Sequence, residues 1–217
     1  MVKSPQATTT TDWRESRRQS ARGAIVDAAW DLVHEDGLAA LSLRDLASRA
    51  GITTPTVYAY FDSKHAIYDA MFGRAATEFA DWMATPVEAT EPVAVLVANA
   101  HRFVEFCAND VARYQLLFQR TIPEFEPSAE SYAPAVRALD LARKGLALNG
   151  ITQPRHLDLW TAVLSGLVDQ QVSNDPGGDR WTRLIEDAVT MFLAHCDSTR
   201  PTRKATPRLS RTRGARS

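Results

Sequence analysis

LSLRDLASRAGITTPTVYAY, residues 41–60, holds two short helical patterns hinged at Gly51. Ser42 precedes the first apolar run and Asp45 follows three positions later, so the Ser42 hydroxyl can cap the open amides of a helix beginning at Leu43 while Asp45 returns the bond. Leu43, Leu46, Ala47 and Ala50 recur at helical spacing and make one narrow apolar face, with Arg44, Ser48 and Arg49 off it. Gly51 ends that helix, because a sharp reversal needs the left-handed backbone that glycine adopts without strain. Thr53 offers a second cap, and Pro55 sits in the first turn, where its missing amide costs no hydrogen bond. Thr56, Val57, Tyr58, Tyr60 and Phe61 complete about two turns. Val57 and Phe61, spaced i and i+4, pack inward against Leu46 and Ile52, which leaves Thr53, Thr54, Thr56, Tyr58 and Tyr60 pointing outward. Short hydroxyls at a helix N-terminus with aromatic hydroxyls further along suit a DNA major groove flanked by phosphates. The spacing alone fits a capped hairpin in any helical core equally well; the flanks favour the groove.

Upstream, Ile25, Ala28, Ala29, Leu32 and Val33 form the stripe of a longer helix that stops at Gly37. Downstream, Phe61-Asp62-Ser63-Lys64 opens another, with Asp62 or Ser63 as cap and Lys64 in its first turn, placed to meet a phosphate. Three helices and the start of a fourth make a compact unit.

From about Arg18 to Phe72 the chain resembles the TetR family of one-component transcriptional regulators. The resemblance is carried by AIVDAAWDLVHEDG followed by LSLRDLASRAGITTPTVYAYFDSKHAIYDAMF, in which the Ala-Ala helix, its terminal Gly, the Leu-Ala-x-x-Ala-Gly turn and the Tyr-x-Tyr-Phe-x-Ser-Lys ending occur in order. It implies a homodimer with an N-terminal helix-turn-helix domain and a C-terminal helical domain that binds a small effector. Carried over by position, Ser42, Arg44, Thr53, Thr54, Thr56, Tyr58, Tyr60 and Lys64 are the DNA-facing set. Two places depart from the family pattern: Thr54-Pro55 stands where Lys-Gly is frequent, and Ala59 where His is frequent, leaving fewer long polar side chains to reach the bases.

At 217 residues and 45% apolar content the chain can bury one sizeable core or two small ones. MVKSPQATTTTDW at the start lacks a continuous apolar stretch, and no later segment approaches a membrane span, so a cytoplasmic protein without membrane contact is expected. Cys107 and Cys196 have no CxxC partner, which argues against a disulfide framework or a zinc site. No cofactor or metal is expected. The net charge of −1 hides an uneven distribution. Residues 1–74 carry nine basic and nine acidic groups, residues 75–199 nine and seventeen, and residues 200–217 seven and none. Position therefore says more about DNA than net charge does. Arg14, Arg17, Arg18 and Arg22 precede or open the first helix, where an arm can reach phosphates.

The expected fold is all-α with about nine helices: a flexible arm (1–15), a helix-turn-helix domain (16–74, motif 41–60), a helical effector-binding and dimerisation domain (75–197) and a basic disordered tail (198–217). Ile67, Met71, Ala75 and Phe79 run at i+4 intervals, so one helix extends from Lys64 to about Ala84 and links the two domains. Further helices follow over Pro92 to Asn109, Val111 to Phe118, Tyr132 to Leu148, Arg155 to Val172 and Asp179 to Cys196.

The last two carry broad apolar faces, and Leu157, Leu164, Leu167, Val168, Gln171, Trp181, Leu184, Ile185, Ala188, Val189 and Phe192 are the expected dimer surface, paired as a four-helix bundle. Burial of both helices inside a monomer is the alternative. For the effector, the resemblance implies a pocket between the linker helix and the helices after it. Phe79, Trp82, Met83, Phe103, Phe106, Tyr114, Phe118 and Trp160 are its candidate walls, with His101 and Glu105 as polar contacts, and their character favours an apolar or aromatic ligand. An enzyme is not expected. His101 with Glu105, His156 with Asp158 and His195 with Cys196 could be read as acid-base or nucleophile pairs, but His195 and Cys196 are adjacent and diverge on a helix, and no Gly-rich phosphate loop, HExxH pair or nucleophile elbow is present. The reading is thus a repressor that binds a palindromic operator in double-stranded DNA and is released by a small molecule, against the alternative of an architectural DNA-binding protein without ligand control.

Overall fold

The computed structural model describes residues 10–199. Nine α-helices and no strand are found among them: α1 (Thr10–Asp36), α2 (Leu43–Arg49), α3 (Thr54–Tyr58), α4 (Lys64–Ala84), α5 (Pro92–Asn109), α6 (Val111–Phe118), α7 (Ala129–Leu148), α8 (Pro154–Asn174) and α9 (Ile185–Ser198). Of the expected basic tail, Ser198 is the last residue of α9 and residues 200–217 lie outside the described range. The expected flexible arm is corrected in part, since α1 begins at Thr10 and carries Arg14, Arg17 and Arg18 on its exposed first turns.

The turn between α2 and α3 forms as its residues dictate. Ser42 Oγ accepts the Asp45 amide at 3.1 Å, and its own proton goes to the Asp45 carboxylate at 2.5 Å rather than the carboxylate reaching back to the backbone. Gly51 adopts φ 66°, and the amides of Gly51 and Ile52 bond the carbonyls of Ser48 and Ala47, closing the end of α2. Thr53 caps α3 through the Thr56 amide. The second helix is shorter than its pattern suggested: it ends at Tyr58, and Tyr60 and Phe61 follow it. Val57 and Phe61 nevertheless bury against Leu46 and Ile52.

One core cluster joins α1 through α4, with Leu116 of α6 inserted into it; another joins α5 through α9. Ion pairs brace the first on its surface. Arg49 of α2 holds Glu35 of α1 by both guanidinium nitrogens, which lowers the Glu35 pKa, and Arg74 of α4 bonds Asp27 of α1. The Tyr68 hydroxyl donates to the Leu38 carbonyl inside the core, and burial pushes its pKa up to about 12.

Two helices differ from their expected bounds. α7 starts three residues before Tyr132, because Ser128 caps it through the Ser131 amide. The segment after Asp179 first makes a 3-10 turn, Thr182–Leu184, and only then α9.

The expected dimer surface needs the largest correction. Leu157, Leu164, Val168, Gln171, Ile185, Ala188, Val189 and Phe192 are buried within the chain, and Leu167, Trp181 and Leu184 are half-buried. They pack α8 and α9 on α5, and Gln171 is consumed by the turn before α9, where its side-chain carbonyl accepts the amides of Trp181 and Thr182. The face these helices turn to solvent carries Leu159, Ala162, Gly166, Met191 and Ala194 instead.

Candidate functional site

Two regions carry chemistry, the outer face of the helix-turn-helix and a cavity among the later helices. On the first, Arg44, Thr53 and Tyr58 are exposed, whereas Ser42, Thr54, Thr56, Tyr60 and Lys64 are half-buried. Tyr58, half of whose surface is open, is the largest side chain on the face. Arg44 has no ion-pair partner among the described residues, so its guanidinium is available to a phosphate or a guanine edge. The Thr53 and Thr56 hydroxyls lie 2.8 Å apart and are occupied with the cap, which leaves Thr54 as the unengaged hydroxyl on α3. Lys64 opens α4 with its ammonium 5.5 Å from the centre of the Tyr68 ring. Tyr60 packs against the core. Its carbonyl accepts from Arg22 at 2.5 Å, and the same guanidinium lies 4.2 Å over the Phe61 ring. Arg22, grouped by its charge with the other early arginines, thus fixes the end of the α3 segment.

The second region is a cavity of about 450 Å³ walled by α4, α5, α6, α7 and α8. Of the expected wall, Phe79, Met83, Phe103, Phe118 and Trp160 line it. Phe79, Phe103 and Phe118 meet edge to face at 5.3 to 5.9 Å, which fixes their rings. Five expected residues stand elsewhere. Trp82 lies on the surface, donating to the Arg102 carbonyl at 3.1 Å. His101 and Glu105, one turn apart, face a separate cavity with Gln171 and Thr182, on the side of α5 opposite Asn99 and Phe103. Phe106 backs Phe79 at 5.0 Å. Tyr114 is core: its hydroxyl donates to Asp169 at 2.8 Å, and burial raises its pKa. Aromatic content identified the neighbourhood, but only helix phase separates wall from backing. The sequence reading expected this helix but named no wall residue on it, and α7 contributes Tyr132, Ala135, Ala138, Ala142, Gly145 and Leu148. Its small residues at i+3 and i+4 were the available signal. Cys107 does not add reactive chemistry, since burial pushes its thiol pKa well up.

The two regions are joined through α4 and α7. Asp69, five residues after Lys64, accepts the Ser128 amide at 2.6 Å, the Ser128 hydroxyl at 3.0 Å and the Ser131 hydroxyl at 2.8 Å. Beside it the helices nearly touch: a Cβ on Gly73 would lie 3.0 Å from Ser131 Oγ and 3.3 Å from its Cα. The Phe125 ring sits within about 6 Å of those of His65 and Tyr68. Asp110, which caps α6, also reaches His34 of α1 at 3.0 Å. Among the described residues no cluster of three or more His, Cys, Asp or Glu side chains is arranged to hold a metal, and no helix is long and apolar enough to cross a membrane.

Residues 25–71 match the family described as bacterial regulatory proteins, tetR family. Over 181 residues the chain is 30% identical to the transcriptional repressor KstR2 of Mycobacterium tuberculosis, covering 78% of each. The chain belongs to the TetR family of transcriptional regulators. Among solved structures, a tetR-family regulator from Streptomyces coelicolor superposes with a TM-score of 0.65 at 22% identity over 83% of both chains. The regulator FadR from Bacillus subtilis, solved with stearoyl-CoA, superposes with a TM-score of 0.61 at 19% identity over 79% of this chain and 97% of that one. Against the first curated relatives it matches, this TetR-family chain spans about half their length or less.

Proposed function

We propose that this TetR-family regulator is a homodimeric repressor acting in the cytoplasm, which binds a palindromic operator through α3 and is released when a small molecule enters the α4–α8 cavity. The observation that carries the reading is the unbroken α4. Its first residue, Lys64, adjoins the recognition surface, Asp69 grips the start of α7, and Ala76, Phe79 and Met83 line the cavity. A ligand that displaces α7 therefore pulls on the helix that seats α3. It changes DNA occupancy by its differential affinity for the two states, with coupling of about 1 to 3 kcal/mol. Such a cavity favours ligand control over a purely architectural role.

Selection of bound sequences from a random DNA pool tests this, with a palindrome whose half-sites lie about 34 Å apart as the expected product. Tyr58→Ala and Lys64→Ala are expected to weaken operator binding by about 1 to 3 kcal/mol each, roughly 5- to 150-fold, while dimer mass stays unchanged. Wild-type affinity in both variants rules out α3 as the reading helix.

The dimer reading moves to the outward face of α8 and α9. Leu159, Ala162, Gly166, Met191 and Ala194 form an apolar and small stripe there, and Met191 leaves 62% of its surface open in the single chain. Met191→Arg, or Leu159→Glu, is expected to give a folded monomer by light scattering at micromolar concentration, and a persistent dimer in both assigns the seam elsewhere.

A further inference from the structure

We propose that the cavity takes a long-chain acyl group with an anionic head, the chain lying along α7 and the head at Lys144. This rests on the cavity being the effector site and narrows what it accepts. Its shape is the first ground. Tyr132 and Leu148 both line it although they stand sixteen residues apart on one helix, which at the rise of an α-helix is about 24 Å. Between them Ala135, Ala138, Ala142 and Gly145 keep the α7 side low, so the space is a slot rather than a bowl. Across it stand Phe79, Leu96, Phe103 and Leu164, all apolar. A staggered carbon chain with bonds of about 1.5 Å and angles near 111° advances about 1.25 Å per carbon. The full slot thus matches roughly 19 carbons, and the part from Lys144 to Tyr132, twelve residues or about 18 Å, roughly 14; a compact planar ring system would leave much of it empty.

Charge is the second ground. Lys144 is the single charged side chain in the wall, and no carboxylate lines it. Residues 75–199 hold seventeen acidic groups against nine basic ones, so an acid-free wall with a lysine opposes the trend of its own domain. The neighbouring Arg143 is tied to Asp140, whereas Lys144 is exposed and has no ion-pair partner among the described residues. It lies one turn from Leu148, at the end where that side chain leaves 60% of its surface open. An amphiphile entering there leaves its head beside the ammonium and in water, and lays its chain toward the Phe79, Phe103 and Phe118 rings. A cationic amphiphile meets repulsion in the same place. A free fatty carboxylate and an acyl thioester of a phosphorylated carrier share this chemistry.

The test loads the full-length protein with the neutral dye Nile red and displaces it with palmitate, palmitoyl-CoA and methyl palmitate. Palmitate or palmitoyl-CoA is expected to compete at least about tenfold more tightly than the neutral ester, and Lys144→Met to bring the ratio of anion to ester affinity to about one. Affinity for saturated acids should rise by about fourfold per buried methylene up to about 14 to 19 carbons and then level. The tighter of the two anions identifies the source. Ala142→Trp is expected to abolish all binding; Gly145→Leu serves as a second block, since a Cβ there finds its nearest neighbour, Asn99 Nδ2, at 3.9 Å. Dye that binds and is blocked by these variants, but is not displaced by either anion or is displaced equally by the ester, overturns the acyl-anion proposal and leaves the effector cavity standing. Dye that never binds the wild-type protein, or survives both blocks, overturns the cavity reading and this proposal with it.

Discussion

Phe192→Ala is expected to destabilise the fold by about 3 to 5 kcal/mol, lowering the melting temperature by about 6 to 20 °C. The ring is 2% exposed, packs on Trp160 at 4.9 Å and belongs to the cluster that holds α5, α8 and α9 together. Nothing nearby can collapse into the space, because Ile185 and Val189 on the same helix are themselves fully packed. The decisive version is made in the Met191→Arg background. If Phe192 belongs to the interior of a single chain, its cost persists in the monomer, as read by circular dichroism. A cost that disappears in that background returns Phe192 to the subunit seam.

Asp69→Ala is expected to cut the response to ligand more deeply than it cuts DNA binding. Its carboxylate accepts three hydrogen bonds from the first turn of α7, and their loss costs about 1 to 3 kcal/mol after allowance for water at this half-buried position. The operator Kd measured with and without palmitate gives a ratio, and in the variant it should fall toward one from a wild-type value of about 5 to 150. Asp69→Asn, which keeps one acceptor oxygen, should fall between the two. An undiminished ratio in Asp69→Ala removes this contact from the path, leaving Phe125 and the His34 to Asp110 pair as the remaining bridges.

Local signals read well because their physics is local. The caps at Ser42, Thr53 and Ser63, the hinge at Gly51 and the bounds of α4, α5 and α6 each depend on residues within a few positions of one another. The family followed from the same stretch, since its motif is a chain of caps, turns and buried positions. What failed needed to know which apolar face meets which. Val168 and Phe192 have the same composition signal whether they face α5 or a second chain, and only the packed structure separates the cases. The cavity shows the same limit. Aromatic residues drew attention to α4 and α5, while the small residues of α7, which create the space, carry only their i+3 and i+4 spacing as a signal. Asp69 was invisible for a further reason: its partners lie some sixty positions away, beyond α5 and α6.

Five residues are too few for α3 to hold its own shape in water. Arg22 behind its end, Val57 and Phe61 beneath it and the Gly51 turn before it impose that shape from outside. Folding information and reading information are therefore carried by different side chains. If α3 reads the operator as proposed, positions 44, 54 and 58 form an interchangeable head on a fixed chassis, where new operator preferences are expected to arise without rebuilding the fold.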